Sequence, residues 1–206
     1  MSIRAKSTQK LRMEIAEIAA KLVANAGVPD YHSAKKKAAI QLGLSANRNL
    51  PTNQEVEDAL IRYQTLFQSD TQASRLKTLR LQARQAMRLL RHFKPSLVGP
   101  VVTGTATSSS EITLHLYVDQ VEQVGLFLSE QGIPNTMCEK HIRINAIKSI
   151  ICPAYRFIAD QTSILLVIFS EKNKNLNPIS SIDNKAMKMV NEEELMRMIE
   201  ESSESV

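Results

Sequence analysis

Between positions 99 and 115 the chain gathers the residue types that phosphate and metal chemistry uses. Gly99 and Gly104 punctuate a segment that runs on through Thr105, Thr107, Ser108, Ser109 and Ser110, crowding hydroxyls and backbone amides together. Such a loop can hold a phosphate in a backbone concavity; an ordinary Ser/Thr-rich turn has the same composition. Glu111, Thr113 and His115 follow at alternate positions, and alternate residues of a strand project on one face. That face offers a carboxylate, a hydroxyl and an imidazole. Mg2+ prefers oxygen ligands, usually one or two carboxylates with phosphate and water. Glu111 is the one carboxylate on that face, with Asp160 the nearest second acid and His115 a candidate third group, which together make a poor two-metal site. A strand histidine hydrogen-bonded to a neighbour is the plainer reading of His115, since no second shell is evident.

A second constellation is basic. Lys77, Arg80, Arg84, Arg88 and Arg91 are spaced 3, 4, 4 and 3 apart, which lines them along one helical face. The stripe could track a phosphate backbone with little base discrimination, and Lys35, Lys36 and Lys37 could extend it. No acidic residue lies four positions away on either side to pair with it. The acidic run Glu192, Glu193 and Glu194 could do so from a distance. Nucleic acid and an acidic protein segment are therefore equal claimants on this face. Base stacking is unsupported, because Tyr63, Phe67 and Phe93 all fall on apolar positions.

Other chemistries find little footing. There is no Gly-x-Ser-x-Gly elbow for a serine hydrolase. Cys138 and His141 lie three apart, which puts them on opposite sides of a strand. The only cysteines, Cys138 and Cys152, fit no zinc spacing and are expected as reduced packing residues. The turn Ala26-Gly27-Val28-Pro29 suits a helix-turn-helix, but Lys35 to Lys37 make a poor base-reading face.

The elements that must position these groups follow from periodicity. The spacing of Leu11, Ile15, Ile18, Ala19, Leu22 and Val23 predicts a first helix ended by Gly27 and Pro29. Asp30 or Ser33 caps a second, and Thr52 with Glu55 forms a capping box for a third, with a loop over 45–51 between them. A fourth helix is predicted from about Asp70 to Phe93. After Lys94-Pro95 the period changes: Leu97 to Val102 and Glu111 to Val118 read as strands. Asp119 is the expected cap of a helix through Leu128. Further strands are expected near Met137–Asn145, Ala154–Ala159 and Thr162–Phe169. Beyond a polar stretch, Asn191 caps a short helix, and 200–206 reads as a fraying acidic tail.

Of the 206 residues 43% are apolar, and aromatics are only 4% with no tryptophan, which suits helices on a small sheet. The net charge of +5 conceals an asymmetry: residues 1–94 carry 17 Lys or Arg against 7 Asp or Glu, and residues 95–206 carry 9 against 14. A basic half points to an acidic partner or to the acidic half of the same molecule. No apolar run is long enough for a membrane helix, and the polar N-terminus is unlike a signal peptide. A cytoplasmic protein with no membrane partner is expected.

The stretch from Val98 to Leu114 resembles the signature of the polymerase-beta-like nucleotidyltransferases. That signature is an apolar residue, Gly-Ser, a loop with a further Gly, then Ser-Asp-apolar-Asp-Leu. Gly99, Gly104, Ser110, Ile112 and Leu114 match it; Pro100, Glu111 and Thr113 stand where the Ser and the two Asp belong. The chain is also similar, over most of 10–170, to a family of small bacterial nucleotidyltransferase-like proteins with a helical N-terminal half. Leu97-Val98-Gly99-Pro100-Val101, Gly104-Thr105-Ala106, Leu114-His115-Leu116, Asp30-Tyr31, Ala34-Lys35, Lys37-Ala38-Ala39 and Leu50-Pro51 carry that likeness. The resemblance implies an α+β fold: a helical segment (1–94) packed on a small mixed-sheet nucleotidyltransferase-like domain (95–170), with a polar loop, short helix and acidic tail (171–206). It also implies phosphate contacts from Gly99, Gly104, Thr105, Ser109 and Ser110, and a third metal-binding acid on a neighbouring strand. There the sequence offers only uncharged residues, with Leu165 the nearest equivalent. Pro100 has neither the hydroxyl nor the amide hydrogen of the missing Ser.

The expectation is a non-catalytic, degenerate member of that fold that binds a nucleotide, a phosphate-rich ligand or RNA. One alternative is an active nucleotidyltransferase using Glu111, Asp160 and His115 around a single Mg2+. The other is an interaction adaptor whose basic face meets an acidic protein.

Overall fold

The computed structural model describes residues 3–45 and 49–204. The chain is α+β, with four N-terminal helices, a five-stranded mixed sheet and a C-terminal helix. It divides into two compact units: Met1–Arg75 with Thr105–Ser109 and Ser181–Asp183, and Leu76–Gly104 with Ser110–Ser180 and Asn184–Val206. No helix among the described residues is long and apolar enough to cross a membrane.

The first unit is built on α1 (Ile3–Asn25), α2 (Tyr31–Gln41) and α3 (Asn53–Phe67). Its core is unusually rich in alanine: Ala16, Ala19, Ala20, Ala24, Ala34 and Ala38 pack with Ile15, Val23, Val56 and Leu60. Small side chains let helix backbones approach closely, and alanine loses no side-chain entropy on burial. The predicted caps form. Asp30 accepts from the Ser33 amide at 2.9 Å, and Thr52 and Glu55 make a reciprocal box. Gly27 takes φ +63°, the left-handed conformation that ends a helix without steric cost. The loop expected over 45–51 lies partly outside the described residues.

The second unit carries α4 (Ser69–Leu89) from Leu76 onward, followed by a 3-10 turn at Arg91–Phe93. Its strands are β1 (Ser96–Val98), β2 (Ile112–Tyr117), β3 (Asn135–Arg143), β4 (Ser149–Ala159) and β5 (Thr162–Phe169). They lie in the order β1-β2-β5-β4-β3, with β2 and β5 parallel and the other neighbours antiparallel. A one-turn helix, α5 (Pro100–Thr103), joins β1 to the loop before β2. Helix α6 (Glu122–Glu130) buries Val124 and Leu128, and α7 (Glu192–Glu204) closes the chain.

Three expectations are corrected. The strand read over Leu97–Val102 stops at Val98, because Pro100 starts α5. Proline fits that first helical position, where its fixed φ is already helical and no amide bond is needed. Asp119 does not cap α6; its Oδ1 accepts from Ser170 Oγ at 3.1 Å and from the Glu171 amide at 3.0 Å, tying the end of β2 to the end of β5. The predicted fraying tail is helical through Glu204. Leu195 and Ile199, one turn apart, are buried, and Asn191 and Glu194 form a capping box at its start.

Gly125 in α6 lies under the Tyr155 ring: a Cβ there would sit 2.6 Å from the tyrosine oxygen and 2.7–2.9 Å from ring carbons. Gly125→Ala should therefore destabilise the protein by about 1–3 kcal/mol despite alanine's better helix propensity. Chemical denaturation reads this out; an unchanged or raised midpoint would show that the ring and helix separate at no cost.

Candidate functional site

The glycine segment is built by backbone constraint. Gly99 has φ +82° and ψ −155°, and Gly104 has φ +89°, conformations that other residues adopt only with strain. Between them α5 closes on itself, with the Gly104 amide bonded to the Pro100 carbonyl at 2.9 Å. Val98 pairs with Thr113, so the turn after β1 begins beside the residues that open β2.

Beyond Gly104 the hydroxyl-rich loop does not form an open cradle. Thr105, Ala106 and Thr107 are buried and belong with the helical unit. There two buried glutamines hold their backbone: Gln64 Nε2 donates to the Thr105 carbonyl at 3.4 Å, and Gln72 Nε2 to the Ala106 carbonyl at 2.7 Å. Thr107 and Ser109 share a side-chain hydrogen bond at 3.2 Å. Ser108 and Ser109 face solvent, and Ser110 is half-buried. Of the five expected phosphate contacts, Thr105 is thus enclosed, while Gly99, Gly104 and Ser110 belong with the sheet unit and Ser109 with the helical one.

Glu111 stands immediately before β2, and its partner was not anticipated. Oε1 accepts from Arg156 Nε at 2.7 Å and from Ser163 Oγ at 2.6 Å. The ion pair is partly exposed on both sides, and it raises the Arg156 pKa through the hydrogen bond first and the charge second. A guanidinium therefore meets the one carboxylate of this face. Along the parallel pair, Thr113 lies opposite Leu165 and His115 opposite Val167, and Leu165 in turn lies opposite Arg156. The position compared with a third acid holds a fully buried leucine.

His115 departs from the partly covered, hydrogen-bonded histidine expected. It is 1% exposed, its ring lies 4.8 Å from that of Phe169, and Nδ1 has no hydrogen-bond partner. Burial pushes its pKa down to about 4. Asp160 occupies the two-residue turn between β4 and β5, where it and Gln161 take φ +46° and +65°, the pattern of a type I′ hairpin. Among the described residues no three His, Cys, Asp or Glu side chains come together as a metal-binding group. Glu111, Asp160 and His115 are thus separate features.

The arginine stripe meets α7. Arg80 is buried: Nη1 donates to the Met198 carbonyl at 3.2 Å and to Ser202 Oγ at 2.7 Å, and Nε to the Val101 carbonyl at 3.4 Å. Burial lowers its pKa and Glu201 opposes that. Arg88 Nε lies 2.7 Å from Glu192 Oε1, and Arg84 Nε 3.8 Å from the same oxygen. Lys77 and Arg91 are exposed. The stripe is thus divided: its middle three arginines contact α7 of their own unit, while Lys77 and Arg91 at its ends are exposed.

Comparison with protein-family models, with curated proteins and with solved structures finds no match to this chain.

Because His115 titrates near 4 when folded and near 6.5 when unfolded, the unfolded chain takes up the proton first. Stability should hold above about pH 6.5 and fall by about 3 kcal/mol towards pH 4. Denaturant unfolding at several pH values should show this component absent from His115→Phe; an identical pH dependence in that variant would remove His115 as the cause. Arg80→Met should cost about 1–3 kcal/mol by stranding buried acceptors, against at most about 1 kcal/mol for the exposed Arg88→Met. Equal losses would show that α7 is held by surface charge alone.

Proposed function

We propose that this chain is a non-catalytic relative of the polymerase-beta-like nucleotidyltransferases that binds a nucleotide or another phosphate-bearing small ligand. The observation that carries the reading is the Arg156 guanidinium on Glu111, 2.7 Å away. In a two-metal transferase several carboxylates converge on divalent cations; here one carboxylate is met by one fixed organic cation. Thr113 and Leu165 fill the neighbouring positions on adjacent strands, and neither brings a negative charge. The order strand, glycine turn, helical turn, strand at β1, Gly99, α5 and β2 supports the kinship. A mixed sheet with a parallel β2–β5 pair supports it too.

The ligand-binding part of the reading rests on groups of the sheet unit: the left-handed glycine turn at Gly99 and Gly104, the half-buried Ser110 and the half-exposed Arg156. RNA is the less favoured ligand, because the middle of the arginine stripe is already engaged. If turnover does occur, Mg2+ is the cofactor it would need, with Glu111 as its first ligand.

Labelled nucleoside triphosphates with MgCl2 and a mixed RNA or protein acceptor test the proposal. The expected result is background incorporation by both the wild type and Glu111→Gln, with ATP or GTP binding seen by calorimetry. Incorporation by the wild type that Glu111→Gln abolishes would overturn the non-catalytic reading. Absence of nucleotide binding would overturn the ligand.

A further inference from the structure

At the other end of β2 the sheet unit carries a groove of about 500 Å3. It is lined by His92, Phe93, Tyr117, Asp119, Gln123 and Glu171, among others. The location is the carboxyl end of the parallel pair β2 and β5, where ligands of open sheets with parallel strands bind. Its lining residue Tyr117 lies six positions along β2 from Glu111, about 20 Å at the rise of an extended chain. The groove is therefore distinct from the glycine-turn face, and its chemistry is independent of the nucleotide reading.

The lining has a definite chemistry. Three rings stand in it: His92 and Phe93, whose centroids are 3.8 Å apart, and Tyr117. Phe127 braces the first two edge-on, at 4.5 and 5.6 Å. Two carboxylates join them and no lysine or arginine does. Asp119 is held in place by Ser170 and the Glu171 amide through one oxygen. Neither Asp119 nor Glu171 forms an ion pair among the described residues. The remaining polar edge is fixed by Gln123 Nε2 donating to Gln120 Oε1 at 2.7 Å.

We propose that this groove binds a small organic cation, an aliphatic amine of polyamine size. Aromatic faces attract an ammonium group and cover its methylene stem. The two carboxylates supply the counter-charge, and the volume lies within the range of small-molecule sites, about 300–1,000 Å3. A phosphate would meet like charge here. A divalent metal would need a set of oxygen ligands, and among the described residues no three His, Cys, Asp or Glu side chains come together here to hold one.

Isothermal calorimetry on the full chain with spermidine tests the inference, with MgCl2 and an uncharged diol of similar length as comparisons. One spermidine per chain should bind, the diol should not, and Mg2+ at equal concentration should not displace it. Glu171→Gln combined with Asp119→Asn should weaken binding about tenfold or more through loss of both charges, and Phe93→Leu about three- to tenfold through loss of the ring face. Circular dichroism of each variant confirms folding, and Phe93→Leu stands as an independent arm should the double variant unfold. No spermidine binding to the wild type, undiminished binding in a folded variant, or full displacement by Mg2+ would each overturn the proposal. ATP binding in the same samples keeps its failure separate from that of the nucleotide reading.

Discussion

The parallel pairing of β2 with β5 is the constraint on which the rest of the sheet unit depends. Ile112 to Tyr117 runs beside Ile164 to Phe169 in unbroken register, and β5 is buried at every position from Ile164 onward. Two adjacent parallel strands cannot be joined by a hairpin, so the chain between them must leave the sheet and return. It leaves through α6 and returns by way of β3 and β4, which extend the same sheet beyond β5. Burying each of these apolar side chains contributes about 1.5–3 kcal/mol, so a run of six fixes the register firmly. That register also sets the chemistry of the face. A carboxylate at position 165 would be placed, desolvated, in the middle of this core, which is costly unless a cation is bound beside it. The leucine there and the lack of a converging acid group are one fact seen from two sides.

Charge is balanced locally in the same manner. One carboxylate, Glu111, is matched by one guanidinium and a hydroxyl. Because the pair is partly exposed, its strength is modest, but its geometry directs the carboxylate along the sheet. The larger asymmetry between the basic first half and the acidic second half is met likewise at α7, where Glu192 faces Arg84 and Arg88 and the helix's own carbonyl and serine receive Arg80. A sequence that advertises a polyanion partner has partly supplied its own.

What the sequence made legible was local. The caps at Asp30 and at Thr52 with Glu55, the stop at Gly27, the change of period after Pro95 and the apolar run of β5 are all decided by residues within a turn or a strand of each other, and each stands in the structure. The features not legible in the sequence depend on distant partners. Arg156 reads as one polar residue of an alternating strand until the sheet brings it beside Glu111, 45 positions away. Gln64 and Gln72 look like ordinary helix polar residues, yet they satisfy carbonyls of a loop more than 30 positions on. Asp119 had the type and position of a helix cap and was drawn instead to Ser170 and Glu171, because β2 and β5 end side by side. The acid-free arginine stripe left nucleic acid and an acidic segment as equal claimants, and in the fold Arg84 and Arg88 meet Glu192 of α7.

The two ends of β2 differ chemically because the strand itself cannot conduct polarity between them. At its start lie Glu111, Arg156 and Ser163, a carboxylate already answered by a cation; at its close lie Asp119 and Glu171, carboxylates set among rings. Between them the side chains that share the face with Glu111 are Thr113, His115 and Tyr117. His115 is the one titratable group at the centre, and it is enclosed against Phe169 with its imidazole kept neutral by burial. An exposed, hydrogen-bonded histidine there would have joined the ends into one polar track suited to proton or metal chemistry. Buried and uncharged, it acts as insulation, so the two ends of this single strand stay chemically separate.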